Sequence, residues 1–128
     1  MTAEGTHRYL LSKPEAKEDF PFGPSIYVYK IKNRMFALIR YVKNTAKINL
    51  KCDPQEAMVL RDIFEAVEPG YHMNKAHWNT VTLDGSIPQG EIERMIDRSY
   101  ELVVKNLTKW NKNISKLSTV ETVDTTNK

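Results

Sequence analysis

Chemistry-bearing side chains are densest in residues 71–79, where two histidines, one lysine, two asparagines and two aromatics fall within nine positions. Such a mixture suits nucleic acid. Lys75 could meet a phosphate, Asn74 and Asn79 could bond a base edge or the backbone, and Tyr71 or Trp78 could stack on a base. The same residues could serve the chain itself. Asparagine and histidine side chains bond local backbone in turns, and a tryptophan can plug a sheet edge. Both uses stay open at this level.

Metal and covalent chemistry find less support. His72 and His77 stand five apart, not the four that would put two histidines on one helical face. Cys52 or Asp84 would have to complete the site, and no third ligand stands at a recognisable spacing, so neither metal nor cofactor is expected. Cys52 alternates with Ile48 and Leu50, which predicts a core position and not a nucleophile. The chain holds no glycine-rich phosphate loop, Gly-x-Ser-x-Gly elbow or paired-carboxylate motif. No catalytic residues, and no enzyme, are expected.

A second candidate is electrostatic. The 128 residues carry a net charge of only +3, but its distribution is uneven. Residues 20–52 hold seven basic groups and no acidic one, whereas residues 53–104 hold four basic and ten acidic groups. The basic stretch includes Lys30, Lys32 and Arg34 around one predicted hairpin, then Arg40, Lys43, Lys47 and Lys51. Basic hairpin tips can sit on phosphates, and a β-ribbon can enter a major groove. The other reading is that lysines decorate solvent-facing strands while acids decorate helices. With few charges at any one tip, nucleic-acid binding through this segment would be weak and salt-sensitive.

Composition supplies the frame. At 41% hydrophobic and 27% charged residues, the chain reads as one globular domain. Its longest apolar run, residues 35–39, is far too short to span a membrane. The first residues lack a basic region followed by an apolar stretch, so no secretory signal is expected. One cysteine excludes an internal disulfide and points to a reduced cytoplasm.

Local pattern then gives the elements. Residues 4–12 read as a short helix ended by Pro14, and residues 19–24 as a loop broken by two prolines and a glycine. Residues 25–31, 35–41 and 47–52 read as strands rich in β-branched and aromatic side chains. Asp53-Pro54-Gln55-Glu56 predicts a capped helix start, with the helix running to about Phe64. Short strands are expected at 71–74 and 78–83. Ile92, Met95, Ile96, Ser99, Val103 and Leu107 then recur at helical spacing. The order α-β-β-β-α-β-β-α predicts an α+β two-layer sandwich, an antiparallel five-stranded sheet with helices on one side. Its other face, with Lys47, Asn49, Lys51, Trp78, Thr80 and Thr82, is expected to stay open to water or a partner. Residues 1–111 form the predicted domain and 112–128 a flexible tail.

Several segments resemble the MmcQ/YjbR family. They are Asp19-Phe-Pro-Phe-Gly-Pro24, Met35-Phe-Ala-Leu38, Asn49-Leu-Lys-Cys-Asp-Pro54, Leu83-Asp-Gly-Ser-Ile-Pro88 and Ser99-Tyr-Glu-Leu-Val-Val104. The most specific is Pro69-Gly-Tyr-His-Met-Asn-Lys-Ala-His-Trp-Asn-Thr-Val81. The resemblance covers roughly residues 8–107; residues 108–128, with Trp110, extend beyond it. It implies a YjbR-like, secretion-chaperone-like sheet in a small cytoplasmic bacterial protein. The family is labelled DNA-binding from a double-wing shape. The expected function is therefore weak, non-enzymatic, largely electrostatic DNA binding. The alternative is a protein-binding adaptor using the open sheet face or a sheet edge.

Overall fold

The structure, a computed structural model, describes residues 1–118. Three helices and six strands follow one another as α1 (Ala3–Leu11), β1 (Lys17–Asp19), β2 (Tyr27–Ile31), β3 (Arg34–Val42), β4 (Thr45–Lys51), α2 (Pro54–Ile63), β5 (Val67–Pro69), β6 (Trp78–Thr82) and α3 (Gln89–Ser118). The strands form one antiparallel sheet in the order β1-β2-β3-β4-β6-β5. α2 connects β4 to β5 at the far edge, and β6 returns to fill the place between them. No helix of the described residues is long and apolar enough to cross a membrane.

The sheet has six strands where the sequence predicts five. The added one, β1, reads Lys-Glu-Asp and is exposed throughout, so it carries no apolar alternation to announce it. It pairs with β2, and its Glu18 and Asp19 side chains reach Tyr29 and Lys30 of that strand. The fifth expected strand is displaced: β5 occupies 67–69, and residues 71–74 form a loop. Gly70 explains the break. A Cβ at this position would lie 2.7 Å from the Trp78 Cβ, so only glycine lets the chain turn this closely over β6.

The long hairpins turn alike. Lys32-Asn33 and Lys43-Asn44 take positive φ at both positions (48° and 67°, then 50° and 68°), the two-residue geometry whose twist matches paired strands. Each tip therefore presents a lysine. Because β3 runs between them, the two tips project from opposite ends of the sheet.

All three helices cover one face. Tyr29, Ala37, Ile39, Ile48, Leu50 and Val81 meet Leu10 of α1, Ala57 and Leu60 of α2, and Ile92, Met95, Ile96 and Val103 of α3 in one buried cluster. Cys52 lies in the same core, as its alternation predicts. α1 starts at Thr2, whose hydroxyl accepts from the Gly5 amide at 2.9 Å. α2 starts differently from expectation: Asp53 makes no side-chain capping bond. Glu56 turns away from the helix start to Arg94 (3.4 Å) and Arg98 (3.3 Å) of α3, two guanidiniums that outcompete one backbone amide. α3 continues past Asn111, where the apolar spacing in the sequence ends; residues 119–128 of the expected tail lie outside the described residues.

Candidate functional site

The second face of the sheet brings together Lys47, Lys51 and Trp78, with Asn49, Thr80 and Thr82, as their alternation predicts. Cross-strand register sets them in three rows. Arg40, Lys47 and Thr82 are neighbours in one row; Leu38, Asn49 and Thr80 in the next; Lys51 and Trp78 in the third. The outer rows carry cations, and the middle row is buried.

What buries the middle row is the loop between β5 and β6. Its Tyr71 backbone closes a ring of three hydrogen bonds with the sheet. The Tyr71 N–H donates to Thr80 Oγ1 (2.9 Å), the Thr80 hydroxyl donates to Asn49 Oδ1 (2.6 Å), and Asn49 Nδ2 donates to the Tyr71 carbonyl (3.3 Å). Asn49 and Thr80 are each 2% exposed. The expected open face is therefore crossed by this loop. The driving force is local: two polar side chains in the middle of a sheet need partners, and a loop backbone supplies them.

The far end of the loop is pinned from α2. Arg61 Nε donates to Asn79 Oδ1 (2.7 Å), and its Nη2 reaches the carbonyls of Lys75 and Trp78 (3.3 Å for Trp78). Lys75 Nζ bonds the Gly70 carbonyl at 3.0 Å, and Asn74 Oδ1 accepts from the Ala76 amide at 3.0 Å. Most polar groups of residues 71–79 thus serve the loop itself. Asn79 faces the helices, its Nδ2 directed at the Ala57 carbonyl (3.4 Å), and takes no place on the second face. Tyr71 stays half exposed with the Arg40 guanidinium 4.0 Å from its ring centroid, and Trp78 is half buried.

The cations divide in the same way. Lys30 pairs with Asp19 (2.9 Å) and Lys32 with Glu15 (3.1 Å). Lys47 reaches Glu68 only at 3.9 Å. Among the described residues Arg34, Lys43 and Lys51 have no carboxylate within ion-pair distance. Arg34 and Lys51 belong to the same end of the sheet; Arg40, Lys43 and Lys47 belong to the other. No three histidine, cysteine, aspartate or glutamate side chains come together among the described residues to hold a metal ion. Burial first, then Glu56 and Asp53, push the Cys52 thiol up to about 11, so at neutral pH it is a protonated core group.

One polar cluster escaped sequence reading altogether. On the helix-covered side, Tyr29 donates its hydroxyl proton to Glu18 Oε2 at 2.8 Å. His7 Nδ1 contacts the same Tyr29 oxygen, and His7 Nε2 lies 3.0 Å from the Tyr41 hydroxyl. The carboxylate can only accept, so Tyr29 donates to Glu18 and His7 Nδ1–H donates to Tyr29, which leaves Nε2 of a neutral ring to accept from Tyr41. That order requires a neutral imidazole. Burial lowers the His7 pKa, against an opposing pull from Glu18. The groups facing it are Glu18 of β1, Tyr27 and Tyr29 of β2, and Tyr41 of β3. A folded-state pKa below the ordinary 6.5 stabilises the fold fully above pH 6.5, and this contribution is lost as the pH falls through the lowered value. Thermal unfolding at pH 7.5 and pH 5 should therefore show a larger loss in wild type than in His7→Gln. Equal losses in the two proteins would remove His7 from the acid response. Residues 7, 18, 29 and 41 form no recognisable sequence motif; only β1–β2 and β2–β3 pairing and the packing of α1 bring them together.

Comparison with known proteins places this arrangement. A family model described as YjbR matches residues 11–102. The chain is 36% identical over 107 residues to the uncharacterized protein YjbR of Escherichia coli K12, covering 84% of this chain and 91% of that one. It is 37% identical over 106 residues to the uncharacterized protein YbdF of Escherichia coli O157:H7, covering 83% and 87%. A Deinococcus radiodurans crystal structure with a DUF419 domain superposes with a TM-score of 0.76 at 36% identity, covering 81% of this chain and 79% of that one. A Pseudomonas syringae crystal structure gives 0.71 at 28% identity, covering 80% and 98%.

Proposed function

The chain belongs to the YjbR family, and from that premise we propose that it is a non-enzymatic protein that binds the DNA backbone through the second face of its sheet. The observation that carries this reading is the placement of charge. The segment with seven basic and no acidic residues becomes β2, β3, β4 and their turns, so its cations line one sheet face and both hairpin tips. The acidic residues of 53–104 fall largely on α2 and α3, on the opposite side. A surface polarised in this way attracts a polyanion and orients it. The buried, unpaired Cys52 suits a reduced compartment such as the cytoplasm, where DNA is present.

Binding of this kind reads phosphates and not bases. The asparagines that could have formed bidentate pairs are used internally, and Trp78 offers only part of its ring. Three or four free cations in simultaneous contact give a log–log salt slope of about −3. Anisotropy titrations of unrelated labelled duplexes at several salt concentrations should give that slope and nearly equal affinities. Arg34→Glu/Lys51→Glu should weaken binding to every duplex alike and flatten the slope. Absence of binding by wild type at low salt would refute the proposal.

The adaptor alternative finds less support. The loop crosses the sheet face, and both edges are short and blunted: β1 by three charged residues, β5 by Glu68 and Pro69. Such edges resist strand addition.

A further inference from the structure

Two unexplained costs coincide on the second face. Arg40 and Lys47 are direct cross-strand partners, which sets two positive side chains beside each other where like charges are unfavourable. The Arg40 Nε is also buried with no hydrogen-bond partner, although a guanidinium N–H normally finds an acceptor. Among the described residues one carboxylate, Glu68 at 3.9 Å, pairs loosely with Lys47 and none pairs with Arg40. Tyr71 stacks on the flat side of the guanidinium, its ring centroid 4.0 Å from Cζ. Thr82, on the other side of Lys47 in the same row, adds a hydroxyl at this end of the sheet.

We infer that Arg40, Lys47 and Thr82 form the seat of a single phosphate group, held by the Arg40 N–H edge and the Lys47 ammonium. A phosphate oxygen pair matches the planar edge of arginine, supplies the missing acceptor and cancels the cross-strand repulsion in one step. The source is either a phosphodiester of a nucleic acid backbone or a free phosphate or phosphomonoester. The inference rests on the DNA reading for the diester source, and on the geometry of Arg40 for the seat itself.

The test follows the Arg40 Nε–H resonance by NMR in the full chain, titrated with inorganic phosphate and separately with dimethyl phosphate at constant ionic strength. A saturable shift with either ligand, weakened at least about tenfold in Lys47→Gln and unchanged in Lys105→Gln on the exposed side of α3, is the expected result. Glu68→Gln, which removes the carboxylate beside Lys47, should tighten binding. Comparable affinity for the two ligands assigns the diester, and a clear preference for inorganic phosphate assigns the monoester source; both support the seat. A shift that grows without saturation, or that chloride reproduces, overturns it. Thr82→Val and Lys47→Gln keep the test open should Arg40→Gln fail to fold. DNA binding without an Arg40 response would refute the seat alone, and a saturable phosphate response without DNA binding would refute the DNA reading alone.

Discussion

Replacing Ser99 by alanine is expected to cost about 3 kcal/mol, from two buried backbone groups each left unpaired at about 1–3 kcal/mol. Ser99 is fully buried in α3. Its hydroxyl donates to the Phe36 carbonyl at 2.6 Å and accepts from the Lys51 amide at 2.8 Å. The paired register of β3 and β4 reaches Ala37 and Leu50 and stops there. One step further the strands part, and the serine hydroxyl stands between the two backbone groups that would otherwise have bonded each other. The side chain thus completes the ladder and fastens α3 to it. Its neighbours along the helix, Ile92, Met95, Ile96 and Val103, supply the apolar contact that holds the hydroxyl in place. Alanine keeps those contacts and removes only the bridge. The melting temperature should fall by on the order of 10 °C, and the urea midpoint should shift without a change in slope. Hydrogen exchange gives the specific readout: the Lys51 amide should lose protection before its neighbours in β4. An alanine variant with wild-type stability and a protected Lys51 amide would refute the bridge. Ser99→Thr keeps the hydroxyl but adds a methyl group to a filled space, so it should also destabilise, by about 1–3 kcal/mol, while the Lys51 amide stays protected.

Ser99 also marks how far the sequence could be read. Its place in the α3 apolar stripe, between Ile96 and Val103, is visible in the 3.6-residue spacing, and so is its burial. That a polar residue in that stripe bridges two strands is not visible, because the gap it fills exists only after β3 and β4 have paired. The same division runs through the molecule. β2 and β3 announce themselves by runs of β-branched and aromatic side chains, and β4 by strict alternation. β1 does not, since Lys17, Glu18 and Asp19 bury no side chain and owe their strand form to pairing with β2. Residues 71–74 resemble a strand by composition, but Gly70 takes the chain over Trp78 and onto the sheet. The second face was legible as alternation. Its cover was not: the partners of Asn49 are 22 and 31 residues away in sequence. Sequence correctly grouped Lys47, Lys51 and Trp78, and missed the relation of Arg40 to Tyr71, which depends on the loop folding back.

That loop gives the second large effect. Asn49→Leu fills nearly the same volume and removes both bonds that Asn49 makes, leaving the Thr80 hydroxyl proton without an acceptor and the Tyr71 carbonyl without a donor in a covered site. The expected cost is about 2 kcal/mol, at the scale of leaving one or two buried polar groups unsatisfied. Thr80→Val opens the same ring at another point and should cost a similar amount. The double variant distinguishes a ring from independent bonds. If the three hydrogen bonds hold one another in place, the pair of substitutions should cost clearly less than the sum of the single costs, by about 1 kcal/mol or more. Strict additivity would show that the bonds act separately. The release should also be one-sided. Arg61 holds the Asn79 side chain and the Trp78 carbonyl from α2, and neither substitution touches it. Amide exchange should therefore rise across residues 71–74 and stay slow at 78–79. In wild type the Arg40 guanidinium rests on Tyr71, so a freed Tyr71 would uncover it and broaden the Arg40 Nε–H resonance. Fast exchange through the whole of 71–79 in Asn49→Leu would mean that the Arg61 clamp depends on the ring, and that the loop is anchored to the sheet face at a single point.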